Sequence, residues 1–447
     1  MREIIRSLIL DFHESQPFSG VPRHLCVDTV PGKATVLIGV RRCGKSTYLF
    51  QLMEKLLSSG VSRDNILYVN FFDDRLAPLR TAGLSSVAEA YFSLYPEKKS
   101  TEMVYCFFDE IQSMPRWEPF IDRLMRTEKC QVVLTGSSAQ LLSREVATQM
   151  RGRALSWELF PFSFAEYLDA RGVDRTMPLS TRKRLLVERE FAGFWQAGGF
   201  PEVLGLERQT RVRVHQEYFH AVLFRDLIER HDIAHPKALV DLARRLVDNV
   251  ASLYSINSLS GHLKALGHKV PKSTVAEYVQ WLEDAYFLFT VPLFDTSLAR
   301  RQVNPRKIYA IDHALVTSVS SGIQANTGHL LENLVFTSLR HHHPSLFYYR
   351  TRNGGEVDLV VPDRAGKPRL IQVCESLTDG DTEKRETSAL WDAMAETGVD
   401  DATIVTRGEE REMTGTVGTI RLVPAWKFLL AEGSLAGAAS AAAATSS

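Results

Sequence analysis

Cysteine is scarce and shows no pairing pattern. The five residues (Cys26, Cys43, Cys106, Cys130, Cys374) include no C-x-x-C spacing. That usage excludes a disulfide framework and a zinc knuckle, and it suits a reducing cytosol. Long hydrophobic runs are missing too: nothing approaches 18 consecutive apolar residues, so no membrane-spanning helix is expected and the chain is read as cytoplasmic. Net charge is absent, 53 Lys+Arg balancing 53 Asp+Glu. A general polycation that coats nucleic acid is thereby excluded, while a local basic patch is not. What remains is the mix of a globular protein: 447 residues, 45% hydrophobic and 24% charged, enough for roughly two to four domains with sizeable cores. The opening MREIIRSLILDFHESQ has its apolar run broken by Asp11 and Glu14, which reads as an amphipathic helix rather than a leader.

From residue 33 to about 160, short apolar runs alternate with amphipathic segments. The runs ATVLIG (34–39), NILYVNFF (65–72), MVYCFF (103–108) and QVVLTG (131–136) are continuous and rich in Val, Ile, Tyr and Phe. Strands buried on both faces have that composition. Helical patterns such as STYLFQLMEKLL and WEPFIDRLMRT lie between them, and the alternation predicts a parallel α/β sheet. Residues 161–290 turn mostly helical, residues 327–430 return to mixed α/β character, and the tail GSLAGAASAAAATSS is low in complexity.

Residues 39–46 read GVRRCGKS, which fills every fixed position of GxxxxGK[ST]. Gly39 and Gly44 permit the tight turn that aims backbone N–H groups at phosphate oxygens. The helix starting near Lys45 adds its positive end. Lys45 would reach the β/γ-phosphates and Ser46 would give a hydroxyl to Mg²⁺. Arg41, Arg42, Cys43 and Thr47 complete the candidate nucleotide contacts. A chance match per chain is on the order of one in a hundred, and the strand before and helix after the loop lower it further.

Such a loop needs an acidic partner at the end of a buried strand. VYCFFDE supplies Asp109 to hold Mg²⁺ and Glu110 to orient or deprotonate the attacking water. The run QVVLTGSS ends in Thr135, Ser137 and Ser138. One of these is expected to touch the γ-phosphate or the lytic water, and Ser137 is chosen. Beyond it, QMRGRALSWELF offers Arg151 and Arg153. Arg153 is chosen as the arginine that neutralises developing phosphate charge, from the same or a neighbouring subunit.

GVRRCGKST, FFDEIQ, LTGSSA, GRALSWELFPFSFAEYL and GGFPEVL (198–204) together resemble a group of predicted AAA+ superfamily ATPases widespread in bacteria and archaea. That group is described mainly as ATP-binding proteins. The resemblance spans about residues 15–430. It implies a P-loop core, a winged-helix-like middle and a C-terminal domain of unknown function, with ATP and Mg²⁺ as cofactors and slow hydrolysis.

In the middle segment, INSLSGHLKAL ends at Gly267, a turn follows, Ser273 or Thr274 is expected to cap a second helix, and YFLFTVPLF reads as a strand. This order suits a winged helix-turn-helix. Lys264, His268, Lys269 and Lys272 gather near the turn, where DNA would lie, while Glu277, Glu283 and Asp284 on the second helix oppose that use. Residues 328–375 resemble the PD-(D/E)xK restriction-endonuclease-like fold. Carried onto this chain, its acidic positions are Glu332 and Asp358, and the [E/Q]xK position is Gln372-Val373-Cys374. In that fold carboxylates hold Mg²⁺ and a lysine orients or activates water. Cys374 supplies no positive charge, so the domain is expected to have lost nuclease activity and to serve binding or regulation. Arg350, Arg352 and Lys367 are the cations that could compensate.

The expected division is 1–160 ATPase core with an N-terminal helix, 161–235 helical lid, 236–300 winged-helix-like, 301–430 nuclease-like and 431–447 tail. Three functions fit these motifs: a nucleotide-switched regulatory factor acting on DNA or a protein partner, an ATP-dependent DNA-processing enzyme, and a ring-forming protein-remodelling ATPase. No membrane partner is expected, and an oligomer is compatible with each.

Overall fold

The computed structural model describes residues 1–15, 19–136, 152–320, 326–363 and 367–433. Two compact units divide the chain, Met1–Phe160 and Pro161–Ser447.

The first unit is built from α1 (Arg2–Glu14), β1 (Ala34–Ile38), α2 (Lys45–Ser58), β2 (Ile66–Asn70), α3 (Ser85–Leu94), β3 (Val104–Asp109), α4 (Trp117–Thr127), β4 (Cys130–Gly136) and β5 (Ala154–Glu158). The strands form one parallel sheet in the order β2-β3-β4-β1-β5. All of β1 and nearly all of β3 are buried, which is why these segments read as unbroken apolar runs rather than alternating ones. Amphipathic α1 turns Ile5 and Ile9 inward, one helical turn apart, and packs on α3. The four expected strands are present. A fifth, β5, was not foreseen: ALSWE is only half-buried at the sheet edge, so it lacks the apolar run that marks the others. β1 lies between β4 and β5, and the chain leaves it for β2 at the far edge. The carboxyl end of β1 is therefore the point where connections diverge, the position at which open α/β sheets bind ligands.

The second unit opens with α5 (Phe164–Ala170), started by a capping box in which Ser163 and Glu166 exchange side-chain-to-backbone hydrogen bonds. α6 (Thr181–Ala197), α7 (Arg208–Ala221) and α8 (Pro236–Asp248) follow, and α7 runs on through a π-helical stretch, Val222–Ile228. Next come β6 (Leu253–Tyr254), α9 (Ile256–Ala265), α10 (Lys272–Asp284), β7 (Leu288–Val291), α11 (Leu298–Val303) and β8 (Arg306–Ala310). α9 and α10 pack together across a turn at Gly267. β6, β8 and β7 make a three-stranded antiparallel sheet. α10 starts behind Pro271, earlier than a Ser273 or Thr274 cap would allow; Pro271, with φ fixed near −60°, already sets the entry to the helix. The expected boundary at residue 300 cuts the β7–β8 hairpin, because β8 pairs backward with β6 and β7.

After α12 (His313–Val319) and α13 (Thr327–Arg340) comes a six-stranded mixed sheet of β9 (Phe347–Arg350), β10 (Glu356–Val361), β11 (Arg369–Val373), β12 (Asp401–Thr406), β13 (Arg411–Thr414) and β14 (Thr419–Pro424), in the order β13-β14-β12-β11-β10-β9. α14 (Gly380–Thr397) packs Leu390, Ala393 and Met394 against Val357, Leu370, Ile404 and Ile420 of this sheet. The GGFPEVL motif is a packing joint inside this unit. Asp312 caps α12 with one carboxylate oxygen and accepts the Gly199 N–H with the other at 2.7 Å. A Cβ at Gly198 would fall 2.4 Å from that carboxylate, so the close approach requires glycine. No helix among the described residues is long and apolar enough to cross a membrane.

Candidate functional site

The phosphate loop leaves β1 at Gly39. A Cβ there would sit 2.1 Å from the Leu159 carbonyl oxygen, and the Leu159 N–H donates to Ile38 at 2.8 Å. β5 thus presses on the start of the loop, and only glycine fits between. At the other end Gly44 takes φ +100° and forms the N-cap of α2, which leaves the first N–H groups of the helix facing the loop. Cys43 is buried and fills space beneath the turn. Arg41, Ser46 and Thr47 are half-buried and Arg42 is exposed. The Lys45 ammonium is buried and donates to the carbonyls of Gly39 (3.1 Å) and Val40 (3.0 Å). It spans the hollow of its own loop, where phosphate oxygens would compete for it.

Asp109 ends β3 and is fully buried. Parallel pairing sets Phe108 beside Leu134, and Leu37 beside Thr135, so the ends of β3 and β4 and the start of the loop share one edge. Thr135 joins the acidic pair: its hydroxyl donates to Asp109 Oδ1 and accepts the Glu110 N–H at 3.0 Å. The Tyr68 hydroxyl donates to Asp109 Oδ2 at 3.3 Å, and its pKa is pushed up by burial and by the Asp109 charge. Glu110 holds a left-handed conformation at φ +53°, and Gln112 donates to its carboxylate.

Among the polar residues closing β4, Thr135 is the one seen touching the acidic pair; Ser137 and Ser138 lie outside the described residues, as does Arg151. For Arg153 the structure narrows the two alternatives. It directly precedes β5, its carbonyl accepts the Ala34 N–H, and its guanidinium pairs with Asp122 at 3.1 Å. Ala34 and Gly39 are at opposite ends of β1, about 17 Å apart at 3.3 Å per residue. Nearness in sequence to the site motifs therefore does not bring Arg153 to the loop of its own subunit.

Sequence reasoning missed Arg23. It donates to the Cys43 carbonyl at 2.9 Å and to the Phe160 carbonyl at 2.7 Å, and its N–H donates to Gln51 at 3.1 Å. Gln51 also donates to the carbonyls of Ser19 and Val21, and Tyr48 to that of Leu25. Residues 19–25 are thus strapped to α2 beside the loop. No local motif announces this, because every contact is distant in sequence.

In the second unit Glu332 (α13), Asp358 and Glu356 (β10) and Gln372 (β11) come together around Lys307 of β8. Burial and the Asp358 charge push the Glu332 carboxyl up to about 8. Burial opposes the charge on Lys307, but Asp358 and Glu332 outweigh it and hold its pKa well above the usual lysine value. Cys374 directly follows Val373, whose N–H donates to Asp358, and its own thiol donates to the Ser376 carbonyl at 3.1 Å. Of the compensating cations considered, Lys367 pairs with Asp400, and Arg350 and Arg352 are exposed. Among the described residues no group of three or more His, Cys, Asp or Glu side chains is arranged to hold a metal ion.

Residues 31–168 match the model of an AAA domain. Residues 188–327 and 327–428 match two domains of unknown function, DUF8612 and DUF4143. The chain is 32% identical over 421 residues to the uncharacterized protein MJ1544 of Methanocaldococcus jannaschii, covering 92% of this chain and 91% of the relative. It is 29% identical over 308 residues to an uncharacterized protein of Haemophilus influenzae, covering 68% and 73%. Among solved structures it is similar to the Walker-type ATPase PABY2304 of Pyrococcus abyssi, with TM-score 0.42, 15% identity, and 70% of this chain and 94% of that one covered.

Proposed function

This chain belongs to one family with MJ1544 of Methanocaldococcus jannaschii and carries an AAA domain, and from that premise we propose that it is a Mg²⁺-dependent ATP hydrolase whose nucleotide state governs its second unit. The observation that carries the reading is the single sheet edge at which the phosphate loop, Asp109, Glu110 and Thr135 meet. ATP phosphates would take the Lys45 ammonium from the Gly39 and Val40 carbonyls, so binding and a change in loop hydrogen bonding are one event. The Ser46 hydroxyl and the buried Asp109 carboxylate are the hard oxygen donors that suit Mg²⁺, which would neutralise phosphate charge. Glu110 takes the water-orienting role, with Thr135 fixing its backbone. An arginine contribution from Arg153 fits only a neighbouring subunit.

For the second unit, α9, α10 and the β7–β8 hairpin support a winged-helix reading, and the Glu332, Asp358 and Gln372 positions support a nuclease-like one. The basic turn is weak support for DNA: His268 faces Asp241 at 2.7 Å and Lys272 donates to Asn257, which leaves Lys264 and Lys269 as exposed charges. A regulatory or partner-binding role is therefore preferred to DNA processing or ring-type remodelling. The test is a Glu110→Gln variant. It should bind ATP as tightly as the parent, release phosphate at least tenfold more slowly, and retain a partner selected by the ATP state. Turnover equal to the parent would remove Glu110 from its role.

A further inference from the structure

Both ends of the phosphate loop are tied to residues 159 and 160. At Gly39 the tie is direct: the Leu159 carbonyl oxygen would lie 2.1 Å from a Cβ on that glycine, and the Leu159 N–H donates to Ile38 at 2.8 Å. At Cys43 the tie is Arg23, whose Nη1 donates to the Cys43 carbonyl at 2.9 Å and whose Nη2 donates to the Phe160 carbonyl at 2.7 Å. Arg23 is itself held. Its N–H donates to Gln51 at 3.1 Å, and the Gln51 amide donates to the Ser19 and Val21 carbonyls at 2.6 and 2.7 Å. Gln51 lies on α2, the helix that follows the loop. The guanidinium therefore reaches the loop from a fixed base, and its planar fork serves two carbonyls at once. The bond to Cys43 also acts across the peptide. In a trans peptide the carbonyl of one residue and the N–H of the next point in opposite directions, and Met177-Pro178 is the one cis bond among the described residues. Holding the Cys43 carbonyl thus fixes the direction of the Gly44 N–H on the far side. Gly44 takes φ +100°, and glycine turns to either sign of φ about equally readily. Its own backbone preference therefore does not keep that peptide from rotating.

We propose that Arg23 is a positioning residue of the phosphate loop: it holds the Cys43 carbonyl outward so that the Gly44 N–H faces the phosphates. The proposal rests on the ATP-site reading and adds to it a residue outside the motif. The Gly44 N–H would serve bound ATP and the transition state alike, so its loss raises KM and leaves kcat at saturating ATP nearly unchanged. Arg23→Lys tests this, because it keeps the charge and loses the fork. It should bind Mg²⁺-ATP roughly tenfold or more weakly than the parent, the effect of losing one hydrogen bond to a charged group, and its KM should rise by the same factor. A role of charge alone predicts parental values for this variant, and those values overturn the proposal. A second measurement reads the peptide itself. Cys43-Gly44 is the only Cys-Gly pair in the sequence, so a chain carrying ¹³C-carbonyl cysteine and ¹⁵N-glycine gives one cross-peak from it in nuclear magnetic resonance. In the parent, which needs no substitution, that ¹⁵N–H signal should shift on adding Mg²⁺ with β,γ-imido-ATP and stay in place on adding adenosine, which has no phosphate. In nucleotide-free Arg23→Lys it should already stand elsewhere. A parental signal unmoved by imido-ATP, or one identical in Arg23→Lys, overturns the proposal. Failure of the ATP-site reading looks different: a parent that binds no ATP, or a Lys45→Ala that binds it undiminished, removes that reading and this one with it. Parental binding by Arg23→Lys beside loss in Lys45→Ala removes this one alone.

Discussion

Replacing Thr135 with valine swaps a hydroxyl for a methyl of nearly the same shape. In the folded chain that hydroxyl donates to Asp109 and accepts from the Glu110 backbone at 3.0 Å. Thr135 and Asp109 are both fully buried, so water cannot take its place. A hydrogen bond to a carboxylate contributes about 1.5–3 kcal/mol and a neutral one about 0.5–1.5 kcal/mol. The first unit should therefore lose about 2–4 kcal/mol of stability, measured by urea unfolding. Catalysis should suffer separately. Glu110 sits in a left-handed backbone conformation, which non-glycine residues adopt only when their surroundings hold them there. Thr135 supplies one such hold through the Glu110 N–H. If about half the lost energy is felt in the transition state, kcat falls roughly five- to thirtyfold, while ATP affinity, attributed to the loop and Lys45, should change little. Phosphate release and ATP titration, run beside Thr135→Ser, separate these effects: serine keeps the hydroxyl and should recover most of kcat. A folded Thr135→Val that hydrolyses ATP at the parental rate would show that the Thr135 hydroxyl does not hold Glu110 in its working position.

Gly39→Ala would bring a Cβ against the Leu159 carbonyl; ATP binding should be lost while the circular dichroism spectrum stays parental, and retained binding would contradict the loop geometry. Gly198→Ala meets the Asp312 carboxylate at φ +74°, so the second unit should lose about 2 kcal/mol or more, seen as an earlier denaturation midpoint. His215 and His313 are buried and their pKa values are depressed, mainly by burial. The unfolded chain then binds more protons than the folded one below about pH 6.5, so their contribution is complete above that pH and is lost as pH falls. Each adds a slope of up to about 1.4 kcal/mol per pH unit. The melting temperature should drop between pH 7.5 and 5.5, and the drop should shrink in His215→Gln; a flat profile would count against neutral burial.

The first unit was largely legible because its signals are local. β1 to β4 are buried on both faces and leave unbroken apolar runs, and the loop is a contiguous motif. The edge strand β5 leaves no such run. TGSS offers three hydroxyls in four residues, and only the register of β4 against β3 and β1 selects Thr135. Whether Arg153 could reach its own loop was not legible, because a parallel strand begins at the end of the sheet opposite the loop. Lys307 was invisible for the most general reason. RKIYA carries no motif, and its three carboxylates lie 25 to 51 residues further along the chain. Their meeting is a product of the tertiary fold.

The proposed ATP site is the loop from Gly39 to Ser46, with Lys45 as its phosphate ligand. Equilibrium titration of Mg²⁺-ATP into the parent chain and into Lys45→Ala tests it most directly. Saturable binding at one site per chain is expected in the parent, and at least a hundredfold loss in a folded Lys45→Ala. Undiminished binding in that variant, or none in the parent, would contradict it.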